Sequence, residues 1–279
     1  MPVRLGTRGS RLALVQAEAA ADRLRAAAGA QVAIVPITTA GDRDRSRPFG
    51  EIGERGVFVK EIEEALLAGR IDVAVHSAKD MTSTTADGLS VAAYLPREDP
   101  RDALCGADAV RPGMRIGTAS VRRRSQLLAL EPALSVEPLR GNVDTRLRKM
   151  RERGLDAIVL AAAGLERLGL EGEIGYRFSA DELLPEAGQG AVALQTRAGE
   201  EELAAALDES ETRRRVGAER ACVARIGGGC LAPVAAHHDG ETLAALVADE
   251  DGAWIERRTG ADPLALADEL LAALAAHAR

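Results

Sequence analysis

The fold is decided by "IDVAVHSAKD", Ile71 to Asp80. Ile71 to His76 is a short apolar run, too short for a buried helix, and it reads as a buried strand that ends abruptly in a lysine and a carboxylate. On a continuing strand Lys79 and Asp80 would face opposite sides. A turn at Ser77 and Ala78 instead brings both heads to the edge of the sheet, where ligands bind in open α/β folds.

Working outward, periodicity predicts a strand over Val3–Gly6, a helix over Ser10–Ala28 stopped by Gly29, a strand over Gln31–Ile37 and a helix over Val57–Ala68 stopped by Gly69. This alternation is the grammar of a parallel or mixed sheet covered by helices. Between Thr38 and Gly56, "TTAGDRDRSRPFGEIGERG" is too polar and glycine-rich for an element, and its length reads as a lid or a disordered segment.

The pattern then recurs. "RLGTRGSRLALVQ" (4–16) and "RIGTASVRRRSQL" (115–127) each give a strand, a Gly-Thr turn, a serine and a helix. "EIEEALLAGRIDVAVH" and "VDTRLRKMRERGLDAIVL" each give an amphipathic helix, a glycine stop and an aspartate leading into an apolar strand. Two related α/β domains follow, each with a helix N-terminus at the C-terminal edge of a strand, where backbone N–H groups and the helix dipole favour an anion. "PEAGQGAVALQTRAGEEELAAAL" (185–207) reads as a glycine hinge, a strand and a helix that return the chain to the first domain. A helix over Glu211–Gly229, three alternating strands (Ala232–His238, Thr242–Asp249, Ala253–Arg258) and a helix from Pro263 form a small α+β domain. The expected domains are 1–96 with 190–209 (lid 38–56), 97–189, and 210–279.

The chain has 279 residues, 46% hydrophobic and 28% charged, with a net charge of −7. That charge gives no general reason to bind nucleic acid or an anionic membrane. No apolar run is long enough for a membrane helix and no secretory segment is evident, so a cytoplasmic protein is expected. Three cysteines without tight spacing argue for reduced thiols. The sum hides a local excess: eleven basic residues stand against four acidic ones between Arg111 and Arg153.

Position separates these cations. Arg8 lies in the first Gly-Thr turn, and Arg122 and Arg123 in the first turn of the second-repeat helix, where positive charge opposes the dipole. A ligand carrying carboxylates removes that conflict, each arginine–carboxylate contact contributing about 1.5–3 kcal/mol. Arg140 ends the strand "SVEPLR" and Arg146 lies one turn into the next helix, whereas Arg124, Arg148, Arg151 and Arg153 read as outward-facing. His76 reads as a packed, hydrogen-bonded histidine, and Cys105 and Cys222 as packing cysteines. Cys230 follows three glycines, which let the backbone approach another surface closely. The spacing of Cys222, Cys230, His237 and His238 matches no common zinc pattern, so no metal is expected.

The motifs "LGTRGSRLALVQA", "GDRD", "GVFVKEIEEALL", "VHSAKD", "REDPRDAL", "IGTASVRRRSQL", "LRGNVDTRLRKM", "AAAGLERLGL", "AGQGAVALQ" and "ERACVARIGGGC" stand in one order over most of the chain. In this the sequence resembles the porphobilinogen deaminases (hydroxymethylbilane synthases). The resemblance implies three domains, two of them related modules like the halves of a periplasmic binding protein, in a monomer whose mobile loop covers the active site. It implies a dipyrromethane cofactor, assembled from porphobilinogen and held by a thioether to Cys230, on which four porphobilinogens are joined head to tail with loss of ammonia. Hydrolysis then releases hydroxymethylbilane. Asp80 is the implied catalytic carboxylate. Lys79, Asp80, Ser120, Arg122 and Arg123 are implied to bind the cofactor, and Arg8, Ser10, Arg140, Arg146, Arg167 and Gln189 the incoming or growing chain. Thr82 stands where the family usually has proline, and Arg55 where lysine is common. The competing reading is a non-catalytic binding module that closes on a small anion; it has no need of a thiol on a glycine turn.

Overall fold

The computed structural model describes residues 1–39, 59–82, 84–227 and 233–278. These form two compact units, Met1–Glu98 with Gly190–Arg214, and Asp99–Gln189 with Arg215–Arg279.

In the first unit the chain runs β1 (Val3–Arg8), α1 (Arg11–Ala28), β2 (Val32–Ile37), α2 (Lys60–Leu67), β3 (Val73–Ser77), a 3₁₀ turn (Ala78–Asp80) and β4 (Leu89–Tyr94). It returns later as β10 (Val192–Arg197) and the short α6 (Glu202–Ala205). The sheet order is β2-β1-β3-β10-β4, with β1 parallel to β2 and β3 and with β10 antiparallel to both its neighbours. Alternation along β3 sends Val73 and Val75 into a core with Ala17, Ala20, Ala21 and Leu24 of α1. Ala74 faces the other way, into the core built from Ile62, Ala65 and Leu66 of α2. Helix α1 begins at Ser10, whose Oγ accepts from the Ala13 N–H, and ends at Gly29 with φ 59°, a left-handed cap that glycine adopts without strain. The Gly-Thr pair read as a turn is instead strand. Register pairing continues through Thr7 opposite Pro36 and Arg8 opposite Ile37, so β1 turns only at Gly9.

The second unit holds β5 (Asp102–Cys105), β6 (Arg115–Gly117), α3 (Val121–Leu130), β7 (Ser135–Glu137), α4 (Val143–Arg153), β8 (Ala157–Ala161), α5 (Ala162–Arg167) and β9 (Ile174–Arg177). Its order, β7-β6-β8-β5-β9, repeats the first sheet: a parallel trio, then an antiparallel strand contributed from outside the βαβ run. The helix α7 (Ser210–Ile226) belongs to the first unit up to Arg214 and to the second from Arg215, and the second unit also contains the antiparallel sheet β11 (Val234–His238), β12 (Leu243–Ala248) and β13 (Ile255–Gly260), and α8 (Pro263–His277). Leu266, Ala267 and Leu270 of α8 close over Ala236, Leu243, Ala245 and Val247 of that sheet. The expected α/β architecture with a small α+β element is therefore the one observed.

Candidate active site

In the first unit the C-terminal edges of β1 and β3 meet the N-terminus of α1. Arg8, Ser10, Gln16, His76, Ser77 and Asp80 line one cleft there. The strand after Ile71 ends at Ser77, and the 3₁₀ turn that follows carries Lys79 and Asp80, both half-buried, at the sheet edge. Gln16 from α1 is joined to the Ser77 hydroxyl at 2.9 Å, which ties the helix to the end of the strand. The cleft carries both signs of charge. Arg8 and the N-terminal dipole of an 18-residue helix attract an anion, and Asp80 attracts a cation. Such a cleft suits a small molecule that carries both carboxylates and an ammonium.

In the second unit three charges are buried together. Asp102, 0% exposed, opens β5 and lies 2.8 Å from Arg122 and 2.7 Å from Arg123 on the first turn of α3. Ser120 caps that helix through an Oγ that accepts from the Arg123 N–H. Arg123 also donates to the Val159 carbonyl, and Gln189 Nε2 donates to Asp102 Oδ1 at 2.9 Å and to the Pro100 carbonyl at 2.7 Å. Burial alone would push the Asp102 carboxyl up, but the two guanidiniums outweigh it and hold it well below the usual carboxylate range. Part of the dipole conflict that the arginines create is thus relieved by a carboxylate of the chain itself. Arg122 is left incomplete. Its Nη1 serves Asp102 and the Leu184 carbonyl, while its buried Nε and Nη2 have no hydrogen-bond partner among the described residues. A buried guanidinium in this state can still take an anion, and a planar carboxylate matches its geometry.

The other expected site residues are spread over the second unit. Arg140 follows β7, Arg146 lies on α4 and Arg167 ends α5, all half-buried. Gln189 is fully buried in the Asp102 cluster. Much of the basic segment is neutralised locally: Arg148 pairs with Glu152, Arg151 with Glu173, and Arg115 with Glu137, while Lys149 and Arg153 donate to carbonyls. Arg124, read as outward-facing, is half-buried with its Nη1 on the Val136 carbonyl. Cys230, Arg55 and residues 40–56 of the expected lid lie outside the described residues. Asp102 escaped the sequence reading; its signal was an aspartate opening an otherwise apolar strand.

Residues 3–205 match the family described as "Porphobilinogen deaminase, dipyromethane cofactor binding domain". The chain is 49% identical to a porphobilinogen deaminase of Roseiflexus sp. (strain RS-1), over 96% of this chain and 95% of that one. It belongs to the porphobilinogen deaminase family. A porphobilinogen deaminase of Syntrophotalea carbinolica is 48% identical, covering 95% of this chain and 89% of its own, and one of Brevibacillus brevis 43%, covering 98% and 94%. Among solved structures, immunogenic lipoprotein A from Vibrio vulnificus aligns with a TM-score of 0.47 at 14% identity, covering 75% of this chain and 96% of that one. For a deaminase of this family, the cleft beside Asp80 and the incomplete Arg122 are features of the described residues that bear on a ligand.

Proposed function

We propose that the chain is a hydroxymethylbilane synthase, a transferase that joins four porphobilinogens head to tail, releasing one ammonia at each addition and finally the linear tetrapyrrole. The observation that carries this reading is the two-signed cleft of the first unit, in which Asp80 lies with Arg8 and the N-terminus of α1. Porphobilinogen has the same polarity, with carboxylate arms on the ring and an aminomethyl group beside it.

The residues fit a dipyrromethane cofactor, because the buried and incomplete Arg122 calls for a carboxylate. When bound, that group supplies the pyrrole carbon from which the product is extended. Cys230 is its tether, and Lys79, Ser120, Arg122 and Arg123 hold its acidic arms. Cys105 and Cys222 do not compete for the tether, since burial pushes their thiols up to about 12 and about 11. Arg8, Ser10, Arg140, Arg146, Arg167 and Gln189 serve the carboxylates of the incoming or growing chain. As ammonia leaves the aminomethyl carbon, the substrate becomes a cation, and Asp80 stabilises that charge in the cleft. The domains are assigned as 1–96 with 190–209, 97–189, and 210–279, in a cytoplasmic monomer.

Intact-mass measurement of the purified protein tests this. The expected mass exceeds the 29.3 kDa polypeptide by one dipyrrole, and the excess vanishes in Cys230→Ser. A bare-chain mass together with no consumption of porphobilinogen refutes the reading and favours a binding module.

A further inference from the structure

Asp102 accounts for one contact of Arg122 in the second unit, and a glutamine stands behind the other. Gln126 lies one helical turn after Arg122 on the same face of α3, and the two side chains are buried, at 5% and 3% exposed. Leu184 belongs to no helix or strand, so its buried N–H and C=O must find partners elsewhere. Gln126 serves both: its Oε1 accepts from the Leu184 N–H at 2.7 Å, and its Nε2 donates to the Leu184 carbonyl at 3.1 Å. The second Nε2 proton goes to the Arg122 carbonyl at 3.3 Å. A flipped amide would set its NH₂ against the Leu184 N–H and its oxygen against two carbonyls, so one orientation is fixed. The Leu184 carbonyl held in this way accepts from Arg122 Nη1 at 2.8 Å. The Leu184 side chain, fully buried, is anchored separately, against Ala235, Leu246 and Ala248 of the small sheet.

We propose that Gln126 is a positioning residue for the cofactor: by holding the Leu184 peptide it fixes an acceptor of Arg122 Nη1, and so sets the Nε and Nη2 groups that are left for a ligand carboxylate. This rests on the deaminase reading above. A guanidinium is planar, and Asp102 Oδ2 lies 2.8 Å from the same Nη1 that donates to Leu184. Two fixed acceptors beside one planar nitrogen define the plane of the whole fork. With Asp102 alone, the fork can turn about that contact. A bidentate carboxylate needs two N–H groups side by side in its own plane, so a fork that turns loses one of the two bonds. Gln126 itself touches no ligand in this role; it acts through Leu184 and Arg122.

The test is a double-mutant cycle read by intact mass. Apoprotein produced without porphobilinogen is titrated with porphobilinogen, and the concentration at which half of the chains have gained the dipyrrole is recorded for wild type, Gln126→Met, Arg122→Lys and the pair. Methionine keeps much of the length of the side chain and removes all three hydrogen bonds. Gln126→Met is expected to raise the half-loading concentration about 10-fold in the wild-type background, the scale found when a partner that orients a binding side chain is removed. In the Arg122→Lys background, where no fork remains to be oriented, it should change nothing. A merely structural glutamine costs the same factor in both backgrounds; that result, or a Gln126→Met chain that loads like the wild type, overturns the proposal. A second measurement needs no variant to fold. Both side-chain amide protons of Gln126 in the wild-type chain, held in hydrogen bonds, should exchange with D₂O about 100-fold more slowly than those of an exposed glutamine, and exchange at the free rate also overturns the proposal. A wild-type chain that gains no dipyrrole at any concentration refutes the deaminase reading and this role with it, whereas a chain that loads with equal factors refutes the role alone.

Discussion

Replacing Asp102 by alanine probes the densest electrostatic contact of the second unit. Asp102 is 0% exposed and its partners Arg122 and Arg123 are 3% and 5% exposed, at 2.8 and 2.7 Å. At an effective dielectric near 20, each contact between charge centres roughly 4 Å apart is worth about 4 kcal/mol. Desolvation of three buried ions, several kcal/mol each, offsets most of that, so the intact trio contributes little net stability. Removing the carboxylate alone leaves two buried cations facing each other, and the expected loss is about 3–5 kcal/mol. For a unit of about 150 residues at roughly 2–4 °C per kcal/mol, calorimetry should show its transition lowered by about 6–20 °C. Replacing all three by apolar residues of similar volume should recover most of the loss yet abolish cofactor retention. Acid tests the same contact with no mutation. A depressed carboxyl contributes stability that is present above its unfolded pKa, near 3.9, and is lost as pH falls through the lower folded value, so this contribution persists at pH 4 and fades below it. An Asp102→Ala transition within 2 °C of the wild type refutes the reasoning.

Asp80→Asn keeps the shape of the side chain and removes its charge; turnover of porphobilinogen should fall about 10²–10⁴-fold with an unchanged circular dichroism spectrum, and near-normal turnover removes Asp80 from its assigned role. Native holoprotein treated with iodoacetamide should be labelled at neither Cys105 nor Cys222, whose burial holds the thiols protonated, whereas both react in guanidinium; peptide mass spectrometry reads the difference, and rapid native labelling of either contradicts the packing. Gly175→Ala places a Cβ 2.1 Å from the Ala107 carbonyl oxygen, a backbone atom that cannot swing away, so about 1–3 kcal/mol of stability should be lost; a urea midpoint equal to wild type shows that β9 accommodates the methyl group.

The elements were legible wherever the signal is local. Ser10 as cap and Gly29 as stop frame α1, apolar residues at 17, 20, 21 and 24 give its buried stripe, and the turn after "VHS" puts Lys79 and Asp80 at the sheet edge. The repeat was legible because two helices and two strands recur in register with their glycines. What escaped depends on partners far apart in sequence. Asp102 reads as the start of an apolar strand until α3 supplies two arginines, 20 and 21 residues on, and its burial then makes sense. Gln195 and Glu63 are 132 residues apart, and only the insertion of β10 beside β3 brings them to His76. Even the length of β1 was set by pairing with β2, which overrides the turn chemistry of Gly-Thr.

The repeat also explains why the two units treat charge differently on one scaffold. In each sheet an antiparallel strand lies beside the third parallel strand and sets one residue opposite that strand's end. In the second unit this residue is Asp102, opposite Ala161 of β8; in the first it is Val192, opposite Ser77 of β3. The carboxylate belongs with the two arginines of α3, and together they form a fixed cluster whose unfinished edge is Arg122. Val192 instead packs into the apolar core with Ala17, Ala20, Ala21 and Leu24 of α1 and carries no charge, and the negative group of the first unit's cleft comes from the turn beyond β3, as Asp80. One arrangement locks its ions together and suits retention of a permanent anionic group. The other sets Arg8 and Asp80 in the lining of one cleft, and suits a molecule that carries acidic arms and develops positive charge as it reacts.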